Sequence, residues 1–358
     1  MRIALTDFAK PYSGIGVYTK ELIANLQQVS SDRFFIFSKG QMVEHQCFCT
    51  LALNKLSMLA HEQISLPLWL KKESIDLIHQ TKNYTVPLCF SGKRVVTIHD
   101  VIPHVFAEQY LPSMAAKRYY QFLMGITIRK SDRIITVSDF SKKEIIKYLG
   151  VEPEKIEVIH LAVCDRFKQI NQEEATKNFL KKYGIDRPFV LSAGGNEYRK
   201  NNERLITVFK ENFAQTHMLV VLGEKWRNES FDNEKNDNII FVGSLSEQEL
   251  ILLYNRAELF VFPSLYEGFG LPILEAMACG TPVATSNLTS LPEIAGGAAE
   301  LFDPYDADDI KRTMQRVIAS KQLQAELIGR GLQRRQDFSW RKTAEETAAV
   351  YEKTLKNF

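Results

Sequence analysis

The sequence predicts an α/β protein made of two doubly wound, parallel-sheet domains in series. Three observations carry that expectation. At 358 residues the chain is longer than one ordinary domain and suits two of roughly 150 to 200 residues. Short apolar or β-branched runs alternate with longer helical patterns, the signature of β-α units feeding a parallel sheet. The alternation then pauses at a polar helical stretch, breaks at "KKYGIDRP", and begins again.

In chain order the first set of strands is "RIALT", "FFIFS", "IDLIHQ", "RVVTIHD", "RIITVS" and "IEVIHLA". The second set is "FVLSAGG", "HMLVVLG", "NIIFVG", "LFVFPS", "TPVATSN" and "AAELFDP". The expected domains are residues 1–168 and 169–339. The tail, 340–358, reads as a helix with apolar Ala344, Ala348, Val350, Tyr351 and Leu355, crossing back onto the first domain. In open parallel sheets ligands bind beyond the carboxyl ends of the strands, so the residues just after each strand are the ones to inspect.

Composition narrows the class. No apolar run approaches the ~20 residues of a membrane span, and Met1 leads directly into a strand, so a cytoplasmic protein is expected. The five cysteines include Cys47 and Cys49 but no zinc-binding pattern, and free thiols are expected. Residues 1–165 carry 20 basic and 16 acidic side chains, and residues 166–358 carry 25 and 27. That asymmetry is too weak for nucleic acid and is compatible with an anionic membrane surface beside the first half.

The candidate chemistry lies after the strands. In "LYEGFGLPILEAMACG", Glu267 falls in a glycine-bearing loop and Glu275 in the first turn of a helix begun by Pro272. Gly268 and Gly270 allow close backbone approach, and the loop N–H groups together with the helix N-terminus suit a diphosphate. Glu275 either accepts from a ribose diol or compensates the helix dipole. Glu267 either accepts from a sugar or is an exposed loop acid.

"SAGGNEYRKNNERLI" places Gly195, Arg199 and Lys200 ahead of a helix starting at Asn201 or Asn202. The basic pair is either a phosphate clamp or a solvated surface pair. In "YSGIGVYTKEL", Gly14 and Gly16 precede a helix, but Thr19 stands where a dinucleotide fingerprint needs its third glycine. A nicotinamide dehydrogenase is thereby disfavoured, and a tight strand-to-helix turn stays open. "VVTIHDVIPH" puts His99 and Asp100 at a strand end, where they meet substrate or sit in the core; His79 is a weaker case and His104 a loop residue. Asp306 and Asp308 open a helix and read as caps, so no metal site is expected.

Together these residues resemble the retaining family 4 glycosyltransferases of the GT-B fold, two Rossmann-like domains facing across a cleft. The most specific part is "PSLYEGFGLPILEAMACGTPVATSNLTSLPEIAGGAAELFDPYD", with the family's pair of glutamates eight residues apart; "GGNEYRKN", "TIHD", "TVSDFSKKEI" and "FSW" are similar to it as well. The resemblance implies a nucleotide-sugar site in the second domain and an acceptor site in the first. Arg199 and Lys200 then neutralise the leaving diphosphate, Glu275 holds the ribose, and Glu267 with Phe269–Leu271 holds sugar and phosphate. His99 matches an active-site histidine, and Gly14 and Gly16 match a loop that approaches the diphosphate. Tyr198 replaces a usual proline, and "HLAVC" replaces an Asn-Gly hinge signal.

The implied reaction is metal-independent hexosyl transfer with retention, using a nucleotide sugar as cosubstrate and no bound cofactor. The expected donor is GDP-mannose and the expected acceptor a lipid-linked saccharide of O-antigen synthesis at the inner membrane, with a UDP, ADP or TDP sugar as the alternative donor. A phosphorylase or epimerase on the same double fold, and a silent nucleotide-sugar-binding partner of another transferase, are the competing functions. "AAKRYYQFLMGITIRK", 115–130, mixes basic and aromatic residues and is a candidate for peripheral membrane contact.

Overall fold

The structure is a computed structural model describing residues 1–7, 13–38, 61–83, 87–195, 197–223 and 238–356. Twelve strands lie among the described residues, each falling on one of the predicted runs, and three of them extend one residue past it. The first six are β1 (Arg2–Asp7), β2 (Arg33–Ser38), β3 (Leu77–Gln80), β4 (Lys93–Thr97), β5 (Arg133–Thr136) and β6 (Ile156–Val158). The second six are β7 (Phe189–Ala193), β8 (Met218–Leu222), β9 (Ile239–Phe241), β10 (Leu259–Phe262), β11 (Val283–Ser286) and β12 (Glu300–Phe302).

Each set forms one six-stranded sheet with parallel pairing throughout. The first runs β2-β1-β3-β4-β5-β6, so its order reverses between β1 and β3. The second runs β12-β11-β10-β7-β8-β9, the dinucleotide-fold order, reversing between β7 and β10. Those reversals define the crevices where ligands of such sheets bind.

Burial explains why these runs are strands. β3, β7, β10 and β11 are buried along their whole length, which requires a sheet covered on both faces. In the second sheet Val190, Leu219, Leu259 and Val261 pack against Leu205 and Phe209 of one helix and Ile310 and Met314 of another. In the first, Ala4, Phe35 and Ile78 pack against Leu66 and Leu70.

The chain divides into two compact units, Met1–Leu161 with Ser339–Phe358, and Ala162–Phe338. The first boundary falls seven residues before the one expected at 168, because residues 162–168 are tied to the second unit. Arg166 pairs with Glu247, Arg335 with Asp165 (3.0 Å), the Phe167 ring leans on Tyr254, and the Lys168 carbonyl accepts from Asn255 (3.0 Å). The helix Trp340–Lys356 packs on the first unit, against the helix Gly14–Val29. Its Tyr351 hydroxyl lies 2.6 Å from His79 Nδ1, while His79 Nε2 is 2.8 Å from Thr97 Oγ1.

Among the described residues no helix is long and apolar enough to cross a membrane. Cys89, Cys164 and Cys279 form no disulfide; Cys47 and Cys49 lie outside the described residues.

Candidate active site

In the second unit the reversal between β7 and β10 brings two loops together. After β7, Gly194 (φ +114°) and Gly195 (φ +53°) turn the chain into the short helical turn Tyr198–Lys200. A Cβ on Gly194 would lie 2.3 Å from Lys200 Cγ, so only glycine lets the lysine stem fold back over the loop. Asn201 ends the turn in a left-handed conformation (φ 56°), and its amide donates to the carbonyls of Pro263 (3.2 Å) and Pro304 (2.8 Å). Asn202 then opens the next helix and donates to the Gly195 carbonyl (3.0 Å).

These ties deliver two cations to one carboxylate. Arg199 Nη1 and Lys200 Nζ each lie 2.7 Å from Glu267 Oε1, and Ser264 Oγ lies 2.5 Å from the same oxygen. Glu267 and Lys200 are only 8% and 9% exposed, so Glu267 is not the solvated loop acid and Lys200 not the surface charge that sequence alone left open. Lys200 Nζ also sits 4.8 Å over the Phe262 ring, and Arg199 Nη2 meets the more exposed Glu197 at 2.8 Å. Burial alone would raise the Glu267 carboxyl, but Arg199, Lys200 and Ser264 hold it below its ordinary value. Burial lowers the Lys200 ammonium, opposed by Glu267.

The loop bearing Glu267 and Gly268 is fixed from behind. Ser290 Oγ lies within hydrogen-bond distance of the Glu267 and Phe269 carbonyls (3.0 and 2.8 Å), and the Glu267 N–H donates to Thr289 Oγ1 (3.3 Å). Gly270 (φ +107°) caps the helix Leu271–Ala278, whose first residue is Leu271.

Glu275 stands apart from this cluster and is not in the first turn, as the sequence suggested. The helix begins one residue before Pro272, so Glu275 lies a full turn in and is half-buried, accepting from the Tyr254 hydroxyl at 3.0 Å. Burial pushes its carboxyl up to about 7, against the pull of that hydrogen bond.

Gly14, Gly16 and His99 belong to the first unit. Ser13 Oγ caps the helix Gly14–Val29 by accepting from the Gly16 N–H (3.1 Å), so that donor is already used. A Cβ at Gly14 would meet nothing within 4 Å, and its φ is not left-handed; the turn itself does not require glycine there. His99 is buried, its backbone N–H donates to Asn83 Oδ1 (2.8 Å), and its Nε2 donates to the Thr81 carbonyl (3.0 Å). Burial pulls His99 down to about 4 against that carbonyl bond, and Tyr18 from the Gly14–Val29 helix stands edge-on at 4.9 Å. Asp100 Oδ1 accepts from the Ile102 N–H (3.1 Å). His79 is a core residue joining strand to helix, and His104 leans on Tyr120 from a short helix, not a loop. Asp306 caps its helix, accepting from the Asp308 and Asp309 N–H groups (2.9 and 3.1 Å).

Sequence reasoning missed the supporting residues. Ser264, three before Glu267, and the Asn201-Asn202 pair were legible as turn and cap types; Tyr254, within an apolar helical run, carried no signal.

A dinucleotide-type sheet with a clamped carboxylate at its reversal, in tandem with a second doubly wound sheet, defines the GT-B class. The solved sucrose-phosphate synthase of Thermosynechococcus elongatus shares this fold over the full length of both chains, with a TM-score of 0.78 at 21% identity. The sequence profile described as Glycosyltransferase Family 4 matches residues 12–166, and that described as Glycosyl transferases group 1 matches 172–334. The O-antigen chain mannosyltransferase B of Escherichia coli is 31% identical over 79% of this chain and 76% of its own. The serotype-specific mannosyltransferase WbdA of Escherichia coli is 34% identical over 70% of this chain, which spans only 32% of that relative. The chain belongs to glycosyltransferase family 4.

Proposed function

We propose that the protein transfers mannose from GDP-mannose, with retention, to a hydroxyl of a lipid-linked saccharide in O-antigen or related surface-polysaccharide synthesis. The observation that carries this reading is the buried Glu267 carboxylate held between Arg199 and Lys200 at the carboxyl ends of β7 and β10. Arg199 and Lys200 place two positive charges against Glu267, with the more exposed Glu197 beside Arg199, a setting in which both cations can turn to a diphosphate that gains negative charge as its bond to the sugar breaks. The three neighbours of Glu267 all meet Oε1, leaving Oε2 to accept from a donor-sugar hydroxyl.

In this mechanism the bond from the sugar C1 to the diphosphate oxygen breaks, and the acceptor oxygen bonds C1 on the same face. The acceptor proton passes to the departing diphosphate. Arg199 and Lys200 stabilise that leaving group, and the reading requires no metal. Glu275 accepts from the ribose. His99, neutral at pH 7 and donating through Nε2, keeps Nδ1 as an acceptor toward acceptor or donor hydroxyls. The mannose assignment rests on the names of the two relatives.

The first unit supplies the acceptor side and, through the helix Met114–Lys130, contact with an anionic membrane. That helix buries Tyr120, Met124 and Thr127 and exposes Met114 (64%), Tyr119 (54%) and Phe122 (61%). Arg118, Arg129 and Lys130 are exposed beside them, and the helix contains no acid.

The deciding experiment is thermal denaturation against a panel of GDP, UDP, ADP and TDP sugars. A shift selective for GDP-mannose is expected, of the size given by a few kcal/mol of ligand stabilisation at saturation. A shift selective for another nucleotide reassigns the donor, and a flat panel rejects the donor site.

A further inference from the structure

We propose that Thr289 is a positioning residue for the candidate site, held in a backbone conformation suited to glycine so that its hydroxyl fastens the loop carrying Glu267. Its φ is 60°, and of the non-glycine residues with positive φ among the described residues, Ser74, Asn201 and Thr289, it is the β-branched one. For such a side chain that conformation is strained.

The strain belongs to a turn. The Leu291 N–H donates to the Leu288 carbonyl (3.3 Å), which makes Thr289 and Ser290 the two middle residues. Ser290 lies at φ −78° and ψ −11°, so the pair shows the φ pattern of a type II′ turn, whose first middle residue is usually glycine. Glycine at 289 would sit there unstrained and would bring no hydroxyl. The turn is anchored on both sides: the Asn287 N–H donates to the Phe302 carbonyl (2.8 Å), the Leu288 N–H donates to Ser286 Oγ (3.1 Å), and Leu291 is buried.

What the threonine adds is a grip on Glu267. Its Oγ1 accepts from the Glu267 N–H (3.3 Å), while Ser290 Oγ lies within hydrogen-bond distance of the Glu267 and Phe269 carbonyls (3.0 and 2.8 Å). Consecutive residues of one turn therefore hold both polar groups of the Glu267 backbone. That backbone sets where the carboxylate meets Arg199, Lys200 and Ser264 through Oε1. Placement matters at a reacting centre, where a displacement of ~1 Å can cost about 100-fold in rate. The consequence for donor binding rests on the sugar role proposed for Glu267; the grip on the loop does not.

The test compares the full-length wild type with Thr289→Gly, Thr289→Ala and Thr289→Ser by hydrogen exchange, melting and calorimetry with GDP-mannose. Removing the hydroxyl, as glycine and alanine both do, should speed exchange over residues 264–271 while β10 exchanges at the wild-type rate, and should weaken GDP-mannose binding about 10-fold, the equivalent of one hydrogen bond. Serine, which keeps the hydroxyl, should rescue both. Melting reads the strain separately: at an unstrained position alanine is more stable than glycine, so alanine melting below glycine is the expected inversion. Equal exchange in the wild type and Thr289→Gly overturns the grip, alanine melting at or above glycine overturns the strain, and faster exchange with unchanged affinity overturns the link to donor binding. Should Thr289→Ala not fold, glycine against serine carries the comparison. A wild type that does not bind GDP-mannose sinks the mannosyltransferase reading and leaves the exchange and melting comparisons to decide the grip.

Discussion

Lys200 sits at the balance point of the proposed site. Its stem lies against Gly194, its ammonium bridges Phe262 and Glu267, and burial works against its charge while Glu267 preserves it. Lys200→Ala is expected to lower kcat/KM by ~100-fold or more, since it removes charge needed only as the diphosphate departs; an unchanged value would take it out of that role. Glu275 makes a different prediction. Its folded carboxyl titrates near 7 instead of 4.5, so between those values the folded protein holds a proton that the unfolded chain has released. That group's contribution to stability falls as pH rises through the window. Glu275→Gln should flatten this part of the stability curve and weaken nucleotide binding; denaturation at pH 5 and 8 with an unchanged slope would refute the first, and calorimetry at wild-type affinity the second. Arg199, Lys200 and Glu267 were legible because each lies in or just after a glycine-bearing loop that follows a buried strand. The bond from Tyr254 to Glu275 was not, because it joins helices 21 residues apart in sequence and no local pattern records such a pairing.

At the scale of elements, strands were the most legible feature, since continuous burial selects β-branched and aromatic runs that no exposed segment tolerates. Less legible were the joints. The left-handed Asn201 looks like any helix-starting asparagine, yet its side chain fastens three segments of the second unit. The helix Met114–Lys130 was recognisable by composition, but which of its aromatics faced outward was not: Tyr119 is exposed and its neighbour Tyr120 buried. Phe122→Glu places an acid among exposed basic and aromatic residues. It should reduce cosedimentation with vesicles containing anionic lipid while leaving the melting temperature near that of the wild type. Equal vesicle binding by wild type and variant would remove this helix from the membrane.

At the scale of the whole molecule, the notable connection is the return of residues 339–358 to the unit formed by residues 1–161. Tyr351, buried beside His79, fastens it. Burial drives His79 down to about 3, so it is neutral and its Nδ1 takes the tyrosine proton when Nε2 carries its own. Tyr351→Phe leaves that nitrogen buried without a donor and should cost about 1 to 3 kcal/mol, read as a lower urea midpoint; an unchanged midpoint would show the bond to be dispensable.

The same return sets a timetable for synthesis. A ribosome that has finished residues 1–161 has made all six strands of the first sheet but not the helix that covers one side of Gly14–Val29. Residues 162–338 emerge first. At about 5 to 20 residues per second, the delay is roughly 10 to 35 seconds. During that interval the first-made unit is incomplete and the later-made one can close before it, so the order of completion runs opposite to the order of translation.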